Sequence, residues 1–272
     1  MAQHAASYSH SPGKSIRLSR LFDDRSGRTV IVAVDHGQDH GSPPGLEDLG
    51  KTIEALREAG PDALLLRAST LKRYHRLLEG KGAPALIVAL DSRWTKTVPG
   101  GPDLGEEHEL LVSVEEAARL GADAVKILLI FGRNDIGVHA KNVKAVAAAI
   151  EASERAGIPV MVEATLWGLG IPQSEQHDPK RIPHIARIAF DLGADILKLP
   201  YAPGIYREIT KQLPVPITIL GGPKSDSEED FWSMVEQAVA DGVRGVAFGR
   251  NVWQAADPRA QVARLRAIVH GR

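Results

Sequence analysis

The 272-residue chain contains no cysteine, which excludes a disulfide framework, a thiolate metal centre and a cysteine nucleophile. It also lacks a charge excess. Its 33 basic and 34 acidic residues nearly cancel, so no whole-molecule field would draw it to nucleic acid or to an anionic bilayer. No apolar run approaches the length of a membrane span, and residues 1–15 show neither a signal-peptide h-region nor an Arg-rich amphipathic pattern. A cytoplasmic protein with no nucleic-acid or membrane partner is the expectation, and any charged ligand must be held by a local site. Ligand spacings such as H-E-x-x-H are missing as well. Although Asp35 to His40 gathers two Asp and two His, no metal and no organic cofactor are expected.

What the chain does have is a repeat. Gly60–Leu66, Gly121–Leu128, Gly193–Leu199 and Gly242–Phe248 each close an amphipathic pattern with glycine and open an apolar run. Between them Pro84–Leu90, Pro159–Val162 and Pro216–Leu220 enter through proline, which suits a strand start because its missing N–H is not yet needed. With Thr29–Val34 this makes eight strands. Helical periodicity fills the gaps, roughly over 46–59, 69–78, 114–120, 138–156, 182–192, 204–213, 228–241 and 257–269. Eight strands alternating with eight helices predict a single-domain α/β TIM (β/α)8 barrel over residues 16–272, behind a mobile N-terminal tail, 1–15. An open doubly wound sheet is the rival, but no G-x-G-x-x-G follows the first strand.

In such a barrel, active sites gather at the C-terminal ends of the strands. Asp35 and His36 stand there after the first strand, Arg67 after the second, Asp91 after the third and Glu163 after the fifth. Lys126 and Lys198 lie inside the fourth and sixth strands, each five residues after its glycine, where a soluble protein ordinarily places an apolar side chain. Equal offsets on two even strands place both lysines in one interior layer. Like charges in a dry site disfavour double protonation, so one amine is expected to titrate low and to act as a nucleophile, with Glu163 as counter-charge. Against this stands a purely structural ion pair, which stabilises little because desolvation offsets the attraction. Gly221 and Gly222 after the seventh strand, with Gly249 and Arg250 after the eighth, occupy the usual phosphate position of the fold.

Residues from about Leu21 to the C-terminus resemble the class I, Schiff-base aldolases of the group that includes archaeal-type fructose-bisphosphate aldolase, the archaeal aldolase-like synthase and the phospho-autoinducer-2 thiolase. The resemblance rests on Gly27–Gly37, Gly193–Lys198, Gly221–Phe231 and Gly249–Gln254. It implies that Lys198 forms the imine, that Asp35 contacts substrate, and that Gly221, Gly222 and Arg250 bind phosphate. One position departs from the archaeal pattern. Thr165 stands where those enzymes carry a proton-carrying tyrosine, while Lys126 with Glu163 is similar to tagatose-bisphosphate and sulfosugar-phosphate aldolases. The expected function is therefore reversible retro-aldol cleavage of a phosphorylated ketose. Lys198 is the nucleophile, Glu163 the base, Lys126 keeps Lys198 unprotonated and Asp35 orients hydroxyls, while His36 and Asp91 count among the substrate- or phosphate-binding residues near the rim. Thr165 and Tyr201 are the other candidates for proton carrier. Thiolase or transaldol-type transfer, and a non-catalytic sugar-phosphate-binding barrel, are the alternatives. A homo-oligomer is expected from the resemblance.

Overall fold

The computed structural model describes residues 11–93 and 106–272. Eight parallel strands close on themselves: β1 (Thr29–Ala33), β2 (Ala63–Arg67), β3 (Ala85–Ala89), β4 (Ala124–Ile130), β5 (Val160–Thr165), β6 (Ile196–Pro200), β7 (Ile217–Leu220) and β8 (Gly245–Phe248). Each pairs with its neighbour in sequence, and β8 returns to β1 through Thr29 opposite Gly245 and Val32 opposite Phe248. This is the expected TIM barrel. A short antiparallel ribbon, Asp91–Arg93 with His108–Leu110, is added beyond β3.

Ahead of the barrel runs α1 (Pro12–Leu21). The outer helices are α2 (Leu49–Ala59), α3 (Ala68–Tyr74), α4 (Val114–Arg119), α5 (Ile136–Ala156), α6 (Ile182–Asp191), α7 (Tyr206–Gln212), α8 (Glu228–Ala240) and α9 (Pro258–His270). None of the described helices is long and apolar enough to cross a membrane. Side chains alternate along every strand. Val32, Leu64, Val88, Ile127, Val162 and Leu197 face the helices, whereas Ile31, Leu65, Ile87, Ala124, Met161 and Ile196 fill the interior. Gly60 and Gly157 end α2 and α5 in the left-handed conformation, with φ of 69° and 61°, turning the chain into the next strand.

The repeat carries more than helix stops. Its aspartates, Asp62, Asp123 and Asp195, stand just before β2, β4 and β6, and each accepts a backbone N–H from the strand before it. Val30 donates to Asp62 at 2.6 Å, Leu86 to Asp123 at 3.0 Å and Val160 to Asp195 at 2.8 Å. Their remaining capacity takes cations. Arg266 and His270 meet Asp62, Arg20 meets Asp123, and Lys14 meets Asp195 at 2.8 Å.

Lys14 and Arg20 belong to α1, so the expected boundary of a mobile tail at residue 15 is corrected here. Residues 12–15 are helical, with Ser11 capping the first turn, and Lys14 is wholly buried between Asp195 and Glu154. Leu21 closes the interior from the same end. The cause is Coulombic: the repeat's aspartates at the N-terminal mouth need cations, and α1 supplies two. The remainder of the proposed tail, residues 1–10, lies outside the described residues.

Candidate active site

Stepping round a closed eight-stranded barrel shifts the interior layers by about one residue per strand. Lys126 on β4 faces Met161 on β5, which faces Ile196 on β6, and Lys198 stands two residues further on. The two-residue offset over two strands brings both lysines to one height. Glu163, directly opposite Lys198, lies between them: Lys198 Nζ is 2.9 Å from Glu163 Oε1 and Lys126 Nζ is 3.3 Å from Oε2.

The two amines have different surroundings. Lys126 also meets Asp91 Oδ1 at 3.5 Å and Asp35 Oδ2 at 3.7 Å. Burial works against its charge, but Asp91, Glu163 and Asp35 outweigh it and raise Lys126 above the ordinary lysine value. Lys126 is thus a fixed cation and not the low-titrating amine. Burial opposes ionisation of Glu163 too, yet Lys198 and Lys126 together hold it below the ordinary glutamate value. Glu163 is therefore a carboxylate kept ionised. Asp35 is held far down in the same way by Lys126 and Arg67 against burial.

Arg67 organises the rim. Its Nε donates to the Asp35 carbonyl at 2.9 Å, one Nη to the Asp91 carbonyl, and the other to Asp39 Oδ2 at 2.7 Å. His36 packs edge-on against Trp253, and burial pushes it down to about 4, so a neutral imidazole faces the site near pH 7. A cavity of about 580 Å3 opens above these groups. Asp35, His36, Lys126, Glu163, Lys198, Gly222 and Arg250 line it together.

The glycines divide by role. Gly222, with φ of 61°, lies on the cavity wall with open space where a Cβ would be. Gly249 is instead a packing residue, since a Cβ there would stand 2.4 Å from the His36 ring. Gly221 presses on Phe248, where a Cβ would be 2.8 Å away. Asn251 clasps the two turns, donating to the carbonyls of Gly221 at 3.0 Å and Pro223 at 3.1 Å and accepting from Ser225 N at 2.8 Å.

The model of the DeoC/LacD family aldolases matches residues 29–255. The chain belongs to this family. An uncharacterised aldolase of Saccharolobus solfataricus is 30% identical over 95% of this chain and 94% of its own length. The 2-amino-3,7-dideoxy-D-threo-hept-6-ulosonate synthase 1 of Archaeoglobus fulgidus is 34% identical over 95% of this chain and 92% of its own. Among solved structures, an archaeal fructose 1,6-bisphosphate aldolase superposes with a TM-score of 0.80 at 30% identity, covering 95% of this chain and all of that one. A second archaeal structure, with the same score and coverage, holds its catalytic lysine covalently bound to the carbinolamine intermediate of the substrate.

In this aldolase several residues lie elsewhere than expected. Asp91, assigned to substrate at the rim, is wholly buried behind Lys126, with Oδ2 occupied by His108 Nε2 and Leu128 N at 2.6 Å each. Tyr201 turns toward the helices and stacks on Tyr206 at 5.7 Å, outside the cavity lining, because it follows Pro200 on the opposite face of the strand. Thr165 does face the interior, with Oγ1 fully buried and no hydrogen-bond partner among the described residues. Trp167, Gln173, Gln176 and His177, from the segment after β5, complete the cavity wall. Their polar, aperiodic stretch gives no sequence signal beyond its place at a strand's C-terminal end.

Proposed function

We propose that this aldolase cleaves and forms a carbon–carbon bond in a phosphorylated ketose through an imine on Lys198. The single observation that supports this most is the buried Lys198–Glu163 pair at 2.9 Å, open to a cavity that also holds Arg250. A lysine kept only to hold the barrel together would not need a cavity of substrate size above it.

Glu163 accepts a proton from the Lys198 ammonium, and the neutral amine attacks the ketone carbon to give a carbinolamine. Protonated Glu163 returns this proton to the carbinolamine hydroxyl, which departs as water and leaves the iminium with Glu163 again a carboxylate. Glu163 then takes the proton of the hydroxyl beyond the scissile bond. That bond's electron pair flows into the iminium, the aldehyde leaves and an enamine remains. Protonation and hydrolysis of the enamine return Lys198 and release the phosphorylated ketone. Lys126, always charged, stabilises oxyanion character at the carbinolamine and leaving hydroxyls. Asp35 accepts hydroxyl hydrogens at the rim. The Gly222 turn and Arg250 receive the phosphate, the guanidinium supplying a charged fork. No metal enters these steps. The protein is proposed to act in the cytoplasm, in carbohydrate metabolism, as a homo-oligomer.

A panel of ketose mono- and bisphosphates screened for aldehyde release tests the reading. Wild type should release aldehyde from at least one phosphorylated ketose and not from its dephosphorylated form, and Lys198→Ala should release none. Release by Lys198→Ala at the wild-type rate would overturn it.

A further inference from the structure

Behind Lys126, on the side away from the cavity, lies a buried polar chain that the steps above leave unused. Asp91 Oδ1 faces Lys126 Nζ at 3.5 Å, and Oδ2 is 2.6 Å from His108 Nε2. His108 is carried in by the ribbon beyond β3. Its other ring nitrogen, Nδ1, is 3.3 Å from Asn142 Nδ2 on α5.

The orientation of Asn142 fixes every proton along this chain. Ile130 N can only donate, and it points at Asn142 Oδ1 at 2.9 Å, while Asn142 Nδ2 also reaches the Leu128 carbonyl at 2.9 Å. The amide side of Asn142 therefore faces His108, Nδ1 is an acceptor, and the ring proton sits on Nε2, directed at Asp91. All three side chains are buried, so water does not compete for these bonds.

We infer that His108 and Asn142 are positioning residues of the aldol reaction, holding the Asp91 carboxylate ionised and fixed against Lys126 so that Lys126 stays a cation aimed at Glu163 and Lys198. The inference rests on the class I aldolase reading. The charged groups around Lys126 are Asp35 just after β1, Arg67 at the end of β2, Asp91 on the ribbon beyond β3 and Glu163 on β5, and Lys198 of β6 meets the same Glu163. Of the three carboxylates, Asp91 alone is shut off from the cavity, so substrate cannot disturb it. Asp35 and Glu163 must exchange their contacts with Lys126 for contacts with substrate during turnover. Asp91 is the partner that remains.

The test follows imine formation with dihydroxyacetone phosphate, trapped by borohydride, as a rate across pH 5 to 9.5. Four single variants, His108→Leu, His108→Gln, Asn142→Asp and Asp91→Asn, are compared with one double variant. Wild type should be labelled at Lys198. His108→Leu should reach the same labelled end point, slowed about 10- to 100-fold as for loss of an outer-shell partner of a charged centre, with a displaced pH profile. His108→Gln, whose amide can replace Nε2–H, should recover most of the rate and the wild-type profile. Asn142→Asp would make Nδ1 a donor and His108 a cation, cancelling Asp91, and should behave like His108→Leu. The double variant His108→Leu with Asp91→Asn should be no slower than Asp91→Asn alone.

Where His108→Leu does not fold, Asn142→Asp against His108→Gln carries the same comparison. A folded His108→Leu or Asn142→Asp with wild-type rate and profile, failure of His108→Gln to recover them, or additive losses in the double variant would overturn the positioning role. Absence of any label on wild type would instead remove the aldolase reading beneath it.

Discussion

Lys126 and Lys198 are the same residue type at the same height in one barrel, and the groups around them assign different work. Three carboxylates surround Lys126, whereas Lys198 has Glu163 and the open cavity. Glu163 touches both, so its removal is felt in amine activation and in cleavage. Glu163→Gln should form the borohydride-trappable imine with dihydroxyacetone phosphate more slowly but to the wild-type end point, and should cleave ketose phosphate about 10²- to 10⁴-fold more slowly, the usual worth of a general base. Normal cleavage by Glu163→Gln together with a dead Thr165→Val would make Thr165 the proton carrier. His36 gives a prediction about pH. The folded chain resists protonating it until about pH 4, while the unfolded chain takes up that proton near 6.5. The unfolded state thus binds more protons in this window, and stability falls as pH drops from 6.5 to about 4. Urea titrations across that range should show a shallower decline for His36→Asn than for wild type. An identical slope would place the cost in other groups.

At the scale of elements, two structures hold the barrel's ends. At the N-terminal mouth α1 lays Lys14 on Asp195 and Arg20 on Asp123. Removing one member of a buried ion pair leaves the other uncompensated, so Lys14→Met should lower unfolding stability by about 3–5 kcal/mol. Arg20→Ala, from an exposed side chain, should cost about 1 kcal/mol or less. Equal effects in denaturant titrations would contradict this ranking. At the other mouth the turns after β7 and β8 are clasped by Asn251 and present Gly222 and Arg250 to the cavity. Arg250→Ala should weaken binding of a phosphorylated ketose by about 1.5–3 kcal/mol, the range for hydrogen bonds to charged groups. Calorimetry with unchanged affinity would move the phosphate elsewhere.

Over the whole molecule, the barrel was legible because its signal is distributed. Eight apolar strands, their glycine and proline boundaries and the intervening 3.6-residue periodicity all state the same topology. Lys126, Glu163 and Lys198 were legible because a charged side chain in a covered strand has few bland explanations, and strand period and layer geometry suffice to bring them together. What stayed hidden depends on contacts that no periodicity encodes. Lys14 sits in an aperiodic leader, and its reason for burial is Asp195, 181 residues away. His108 is carried by a three-residue strand, too short to show a pattern. Asp91 reads as a rim residue from its place after β3, and only the His108 and Leu128 bonds show that it turns inward. Tyr201 was misplaced because one residue of register moves a side chain from the cavity to the helix layer.

The most direct measurement is a peptide map of the protein after borohydride reduction with dihydroxyacetone phosphate. Ligand mass on the peptide carrying Lys198, lost in Lys198→Ala and retained in Lys126→Met, is the predicted result. Mass on Lys126 would exchange the roles of the two lysines, and no covalent adduct at all would contradict the imine mechanism.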